Sequence, residues 1–173
     1  LMWVKEAPNQ HELYLIKRAK KYIGKVTWVP WVRMIAIVNS LSMNATHKWS
    51  DIDLFIVTEK HRMWIARVWI TLIFWFYGVW RKWADIAGNF CLSFWVEETA
   101  MEMDKIAIKD DVYLYFWMSY MKVVLADETI WQEFSVKNEW FQFSSDVRDH
   151  LIYLKKRQKP TFIISSIRDI INQ

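Results

Sequence analysis

Asp51-Ile52-Asp53-Leu54-Phe55-Ile56-Val57-Thr58 is an apolar, β-rich run broken only by two acids near its start. With Asp53 set aside it is apolar on both faces, the pattern of an interior strand. The two-residue period of a strand puts the carboxylates of Asp51 and Asp53 on one side, with Cα atoms about 6–7 Å apart. A buried acid at such a position is costly without a partner. Two carboxylates so placed can share a hard divalent cation, and Mg²⁺ or Mn²⁺ held by oxygen ligands keeps substrate phosphates in its shell. The pair is therefore a candidate metal site for phosphate chemistry.

Working outward, Val32–Val38 follows Pro30 as a short apolar strand, and Asn39–Ser50 is a polar connection between it and the acidic strand. Phe90–Val96 is a third apolar strand. Leu13, Ile16, Ala19, Lys20 and Ile23 recur at three- and four-residue spacing, so His11–Gly24 reads as an amphipathic helix stopped at Gly24. Helices are also predicted over Arg62–Trp80, Asp111–Leu125 and Trp131–Phe143, the last interrupted near Asn138. Together these elements predict an α+β fold, a small mixed β-sheet flanked by helices.

Arg62–Trp80 raises the question of a membrane span. Its charge-free part, Val68–Trp80, has 13 residues, against the roughly 17–25 that cross a bilayer. Arg67 at its edge makes insertion less favourable still. A buried core helix is the expectation and a membrane is not an expected partner, with anchoring through Val68–Trp80 as the alternative.

The 173 residues suit one domain, placed at residues 1–145 with its helical extension, followed by a basic helical tail over 146–173. A composition of 54% hydrophobic and 24% charged residues excludes disorder. The net charge of +4 suits phosphate-bearing ligands without requiring them. From Arg148 to Gln173 there are six bases and two acids, and the Lys155–Lys159 cluster reads either as a phosphate-contacting patch or as a solvated helix end. Cys91 is the only cysteine, which excludes an intrachain disulfide framework. With that framework excluded, a cytoplasmic protein is the default expectation; Leu1–Gln10, with Lys5, Glu6 and Pro8, does not read as a secretory leader. Thirteen Trp against three Gly is an unusual balance. Trp31 and Trp49 stand where a turn would favour Gly, as they would if UGA codons meaning Gly had been rendered as Trp; the alternative is a Trp-rich core.

Ile37-Val38-Asn39-Ser40, eleven residues ahead of Asp51-Ile52-Asp53-Leu54, resembles the signature of the polymerase-beta-like nucleotidyltransferase superfamily. That signature is an apolar residue, Gly-Gly or Gly-Ser, a spacer, and Asp-apolar-Asp-apolar. The resemblance extends to a bacterial group of uncharacterised nucleotidyltransferase-domain proteins through Asp51–Thr58, Arg62–Arg67, Phe90–Trp95 and Asn138–Trp140. It covers about Pro30 to Trp140.

It implies metal-dependent transfer of a nucleoside monophosphate from an NTP to a hydroxyl on nucleic acid, protein or a small molecule. By it, Asp51 and Asp53 are the ligands of Mg²⁺ or Mn²⁺, and the Asn39–Ser40 turn holds the triphosphate. Asn39 stands in the place of a Gly, and Asn tolerates positive φ better than most residues. The superfamily takes a third carboxylate from a later strand, but Phe90–Val96 contains no acid. Alternation from Cys91 through Ser93 and Trp95 makes Glu97 the only same-face acid nearby and hence the candidate. The same fold with catalysis impaired would be a nucleotide- or protein-binding module.

The remaining candidates are weaker in kind. Arg62 and Arg67 could steer phosphate, while Arg67 could equally extend its stem over an apolar face or pair with an acid. His47 is a lone loop histidine with no zinc-site partner, and Cys91 and Ser93 lack a His–acid constellation for nucleophilic catalysis.

Overall fold

The computed structural model describes residues 4–82, 85–140, 142–145 and 147–155. The element order is α1 (Gln10–Ile23), β1 (Val32–Val38), α2 (Asn39–Ser42), β2 (Ile52–Thr58), α3 (Met63–Phe76) and β3 (Phe90–Glu97), then α4 (Val112–Ser119), β4 (Lys122–Asp127), α5 (Glu128–Lys137) and β5 (Tyr153–Lys155). A 3₁₀ turn, Met103–Ile106, precedes α4.

Helix α1 starts where the chain supplies a reciprocal cap. The Asn9 side chain accepts from the Glu12 amide at 2.9 Å, and the Glu12 carboxylate accepts from the Asn9 amide at 2.8 Å. It turns Leu15, Ile16, Ala19 and Ile23 inward.

The five strands form one mixed sheet in the order β3-β2-β1-β4-β5. β1 runs antiparallel to both β2 and β4, whereas β2–β3 and β4–β5 are parallel pairs joined through helices. One face, carrying Ile35, Ile37, Ile52, Leu54 and Ile56, packs against α1 and α3. The other, carrying Met34, Ala36, Phe55 and Val57, packs against α4 and α5. β1 is buried at every position because it is central and covered on both sides.

The α+β class and the three expected strands are present, and the sheet has two more. The stretch Asp111–Leu125 is not one helix: α4 ends at Ser119, and Lys122–Asp127 turns into β4 beside β1, with Met34 opposite Ala126 and Ile37 opposite Lys122. The run is apolar throughout, so periodicity could not separate a buried helix from a buried strand; the β-branched Val123 and Val124 carried the only signal. Likewise α5 starts at Glu128 rather than Trp131, because the Asp127 side chain accepts from the Thr129 amide, and it stops before Asn138.

α3 is not a wholly buried core helix, since only Ala66, Ile70 and Phe74 are buried. The sheet also continues past the expected boundary at residue 146, because Val147 lies in the core and β5 pairs with β4. Beyond Lys155 the basic tail lies outside the described residues. Positive φ among the described non-glycine residues falls on Asn39, Asn44, His61 and Asp110, not on Trp31 or Trp49, so neither Trp sits in backbone that calls for Gly.

Candidate functional site

The site lies where β1 ends and β2 begins. Val38 pairs with Asp53 across the two strands, so the chain leaving β1 enters Asn39 directly beside the acidic pair. Asn39 has φ +59°, the left-handed turn in which the resemblance expects a Gly and which Asn tolerates. Its side chain does a second job, hydrogen-bonding to the Asp53 carboxylate. The Tyr113 hydroxyl, from α4, donates to Asn39 Oδ1 at 2.8 Å and so fixes the orientation of the amide. Burial, followed by the nearby Asp53 charge, raises the Tyr113 pKa and keeps that hydroxyl a donor.

Asp51 and Asp53 are both half-buried and lie on the α4/α5 side of the sheet, in the row that continues as Phe55 and Val57. Their neighbour on β3 is Cys91, the register partner of Asp53. Ligand atoms from Asp51, Asp53 and Cys91 lie within 4.8 Å of one another. Burial pushes the Asp53 carboxyl above the usual range; the Asn39 hydrogen bond opposes this and the Asp51 charge adds to it. Burial likewise raises the Cys91 thiol, against a 3.4 Å hydrogen bond to Ser93 Oγ.

Arg81 supplies the positive charge. Its Nη1 lies 2.7 Å from Asp51 Oδ2 and 3.6 Å from Cys91 Sγ. A cation thus already occupies one side of the cluster, while Asp53 carries a charge the fold penalises. The two carboxylate oxygens fit a hard divalent ion, whereas the Cys91 sulfur is the donor that soft metals prefer. A cavity of about 590 Å³ opens beside the cluster along β3, lined by Arg67, Arg81, Lys82, Trp80, Cys91 and Ser93 among others, with no acid in its wall.

Asp51, Asp53 and Asn39 are brought together as expected, and Ser40 follows Asn39 in α2. Glu97 is not. The ladder shifts between Asp53–Cys91 and Phe55–Phe94, which inserts an extra residue into β3. Beyond the bulge Phe94 and Val96 face α4 and α5, so Glu97, opposite Thr58, belongs to the other face. It is also about 20 Å along the strand from Cys91. Among the described residues no third acid joins the pair; Cys91 holds the place beside Asp53.

Arg62 caps α3 at the opposite end of β2, with its amide bonded to the Glu59 carbonyl at 3.1 Å. Arg67 borders the cavity, its guanidinium over the rings of Trp64 and Trp95. His47 stays in the loop, where its Nδ1 accepts from the Trp49 amide at 3.1 Å.

Tyr113 carried no local signal in the sequence, because it reaches Asn39 across 74 residues; Arg81 reaches Asp51 across 30 residues and Cys91 across ten, with no motif linking them. Cys91 carried a signal, its place in an apolar strand that could pair with the acidic strand. Compared with known proteins, the chain matches no family model, no curated protein and no solved structure.

Proposed function

We propose that the protein transfers a nucleoside monophosphate from an NTP to a hydroxyl acceptor in a reaction that depends on Mg²⁺ or Mn²⁺. The observation that supports this best is the juxtaposition of the Asp51–Asp53 pair with the positive-φ Asn39 turn, through the pairing of Val38 with Asp53. Asp51 and Asp53 would hold the metal through their oxygens, and Cys91, whose thiol burial keeps protonated, lies beside them without being suited to ligate a hard ion. A bound divalent ion supplies polarisation of phosphoryl oxygens and of an attacking hydroxyl. Asn39 orients Asp53, and Tyr113 orients Asn39. Arg81 balances the carboxylates in the absence of an ion and is placed to meet phosphate oxygens once an ion takes over Asp51. The cavity beside Cys91, with three bases and no acid in its wall, favours an acceptor that itself carries negative charge.

A second reading, a nucleotide- or protein-binding module with impaired catalysis, is favoured by one observation: a thiol stands where the superfamily's third carboxylate is expected. Labelled NTPs incubated with Mg²⁺ or Mn²⁺ and candidate acceptors test both. Transfer is expected, with a loss of more than about 100-fold in Asp51→Asn and Asp53→Asn. Transfer that survives both substitutions removes the site assignment. Metal-dependent nucleotide binding without transfer, restored to transfer by Cys91→Asp, selects the second reading.

A further inference from the structure

The segment from Lys60 to Lys82 contains five bases, Lys60, Arg62, Arg67, Arg81 and Lys82, and no acid. Most of it is α3, which seats one stripe, Ala66, Ile70 and Phe74, against the sheet. On its other side Trp64, Val68, Trp69, Leu72, Trp75 and Phe76 are exposed, Trp64 to 69% and Phe76 to 79%. Trp28, itself 60% exposed, extends this surface by an edge contact with Trp69 at 5.9 Å. Contiguous apolar exposure on this scale marks an interaction surface.

The surrounding charge is mostly basic, with Glu59 just before this segment, Asp85 just after it and Glu97 on the same face of the sheet. α1 packs on the same side of the sheet as α3 and exposes Lys17, Lys21 and Lys25. Lys25 Nζ lies 5.8 Å from the Tyr77 ring centre, at the edge of the aromatic surface. Between Leu13 and Ser50 the chain has no acid at all. Glu12 is buried under the Asn9 and Thr46 hydrogen bonds. The α1/α3 layer therefore presents aromatic side chains ringed by bases.

We propose that α3 lies in the interface of a lipid bilayer with anionic headgroups, with Trp64, Trp69, Trp75 and Phe76 inserted and Lys17, Lys21 and Lys25 on the lipid phosphates. Indole rings prefer the boundary between headgroup and acyl chain. A helix with an aromatic face and flanking Lys and Arg lies in that plane. α3 has 14 residues and is about 21 Å long, and no helix among the described residues is long and apolar enough to cross a membrane. The helix lies on the bilayer rather than through it.

A protein partner would have to supply a rim made mostly of acids, whereas an anionic leaflet is a continuous plane of them. The most exposed rings also protrude, which suits a deformable acyl boundary. Asp51 and Asp53 face the other side of the sheet, and Arg81, paired with Asp51, belongs to the candidate site rather than to the lipid contact. The inference rests on the α1/α3 surface alone and survives failure of the nucleotidyl-transfer reading.

Cosedimentation of the full chain with vesicles of phosphatidylcholine, alone or mixed with phosphatidylserine, tests it. Binding to the mixed vesicles is expected, weaker on pure phosphatidylcholine and weakened by added salt. The double variant Trp75→Ser, Phe76→Ser, whose fold is checked by circular dichroism, should lose roughly tenfold or more in affinity. Lys21→Glu with Lys25→Glu should weaken binding to the mixed vesicles only. Binding to neither vesicle overturns the proposal, as does binding that the aromatic variant leaves unchanged. So does a dimer that forms in place of vesicle binding and that Trp75→Ser, Phe76→Ser dissolves, which assigns the surface to a second copy of the chain.

Discussion

Glu12 and Asp53 are both withdrawn from water, but burial is outweighed by the neighbours at Glu12 and prevails over them at Asp53. For Glu12, burial raises the carboxyl, but hydrogen bonds from the Asn9 amide and from the Thr46 amide and hydroxyl, with Lys5 beside them, outweigh it and leave the group below the usual range. These bonds tie the start of α1 to the loop that leads into the acidic strand. A carboxyl lowered by folding contributes stability above its unfolded value, and that contribution is lost as pH falls through the folded one. Glu12→Gln, which removes the charge from these bonds, should cost about 2 kcal/mol at neutral pH. Urea unfolding at neutral and acid pH checks the sign: the gap between wild type and variant should close on acidification, and a gap that widens contradicts it.

At the scale of elements, Asn138 ends α5 and ties it to the chain after β3. Its Nδ2 donates to the carbonyls of Met101 at 2.7 Å and Phe134 at 2.8 Å, and its Oδ1 accepts from the Met103 amide at 2.8 Å. The residue is fully buried, so Asn138→Ala leaves the Met103 amide and the Met101 carbonyl without that partner. The expected cost is about 2–4 kcal/mol, read as a lower urea midpoint at unchanged slope. A loss below about 0.5 kcal/mol, the range of ordinary surface changes, would show that these groups find other partners.

The elements differ in how far the sequence disclosed them. β1, β2 and the start of β3 were legible because each is a short apolar run bounded by Pro, Gly, Asn or Asp. β4 was not, because burial on both faces erases alternation, and its identity depends on pairing with β1 nearly 90 residues earlier. The bulge in β3 left no mark in composition, yet one extra residue sends Glu97 to the wrong face and leaves Cys91 beside Asp53. Of the site, the residues held by local spacing were legible: Asp51, Asp53 and the Asn39 turn. Arg81 and Tyr113 arrive through tertiary packing and were not.

Over the whole molecule, the sheet separates two apolar cores, and the candidate site sits where β1, β2, β3 and α4 meet at one end. A ligand held there touches elements from Asn39 to Tyr113 and should report on global stability. The fold carries a cost at Asp53, whose carboxyl is raised first by burial and then by Asp51 against the help of Asn39. Removing that charge in Asp53→Asn should raise the melting temperature of metal-free protein at neutral pH, because an amide can still accept from Asn39 without the desolvation of an anion. In wild type, Mn²⁺ at a hundredfold excess over its Kd should add about 2.7 kcal/mol, and the variant should lose most of that gain. Thermal melts with chelator and with Mn²⁺ measure both effects. Equal stabilisation of the two proteins by Mn²⁺ would put the ion elsewhere. A metal-free variant that melts below wild type would show that the Asp53 charge is already balanced within the fold, by Arg81 across the cluster.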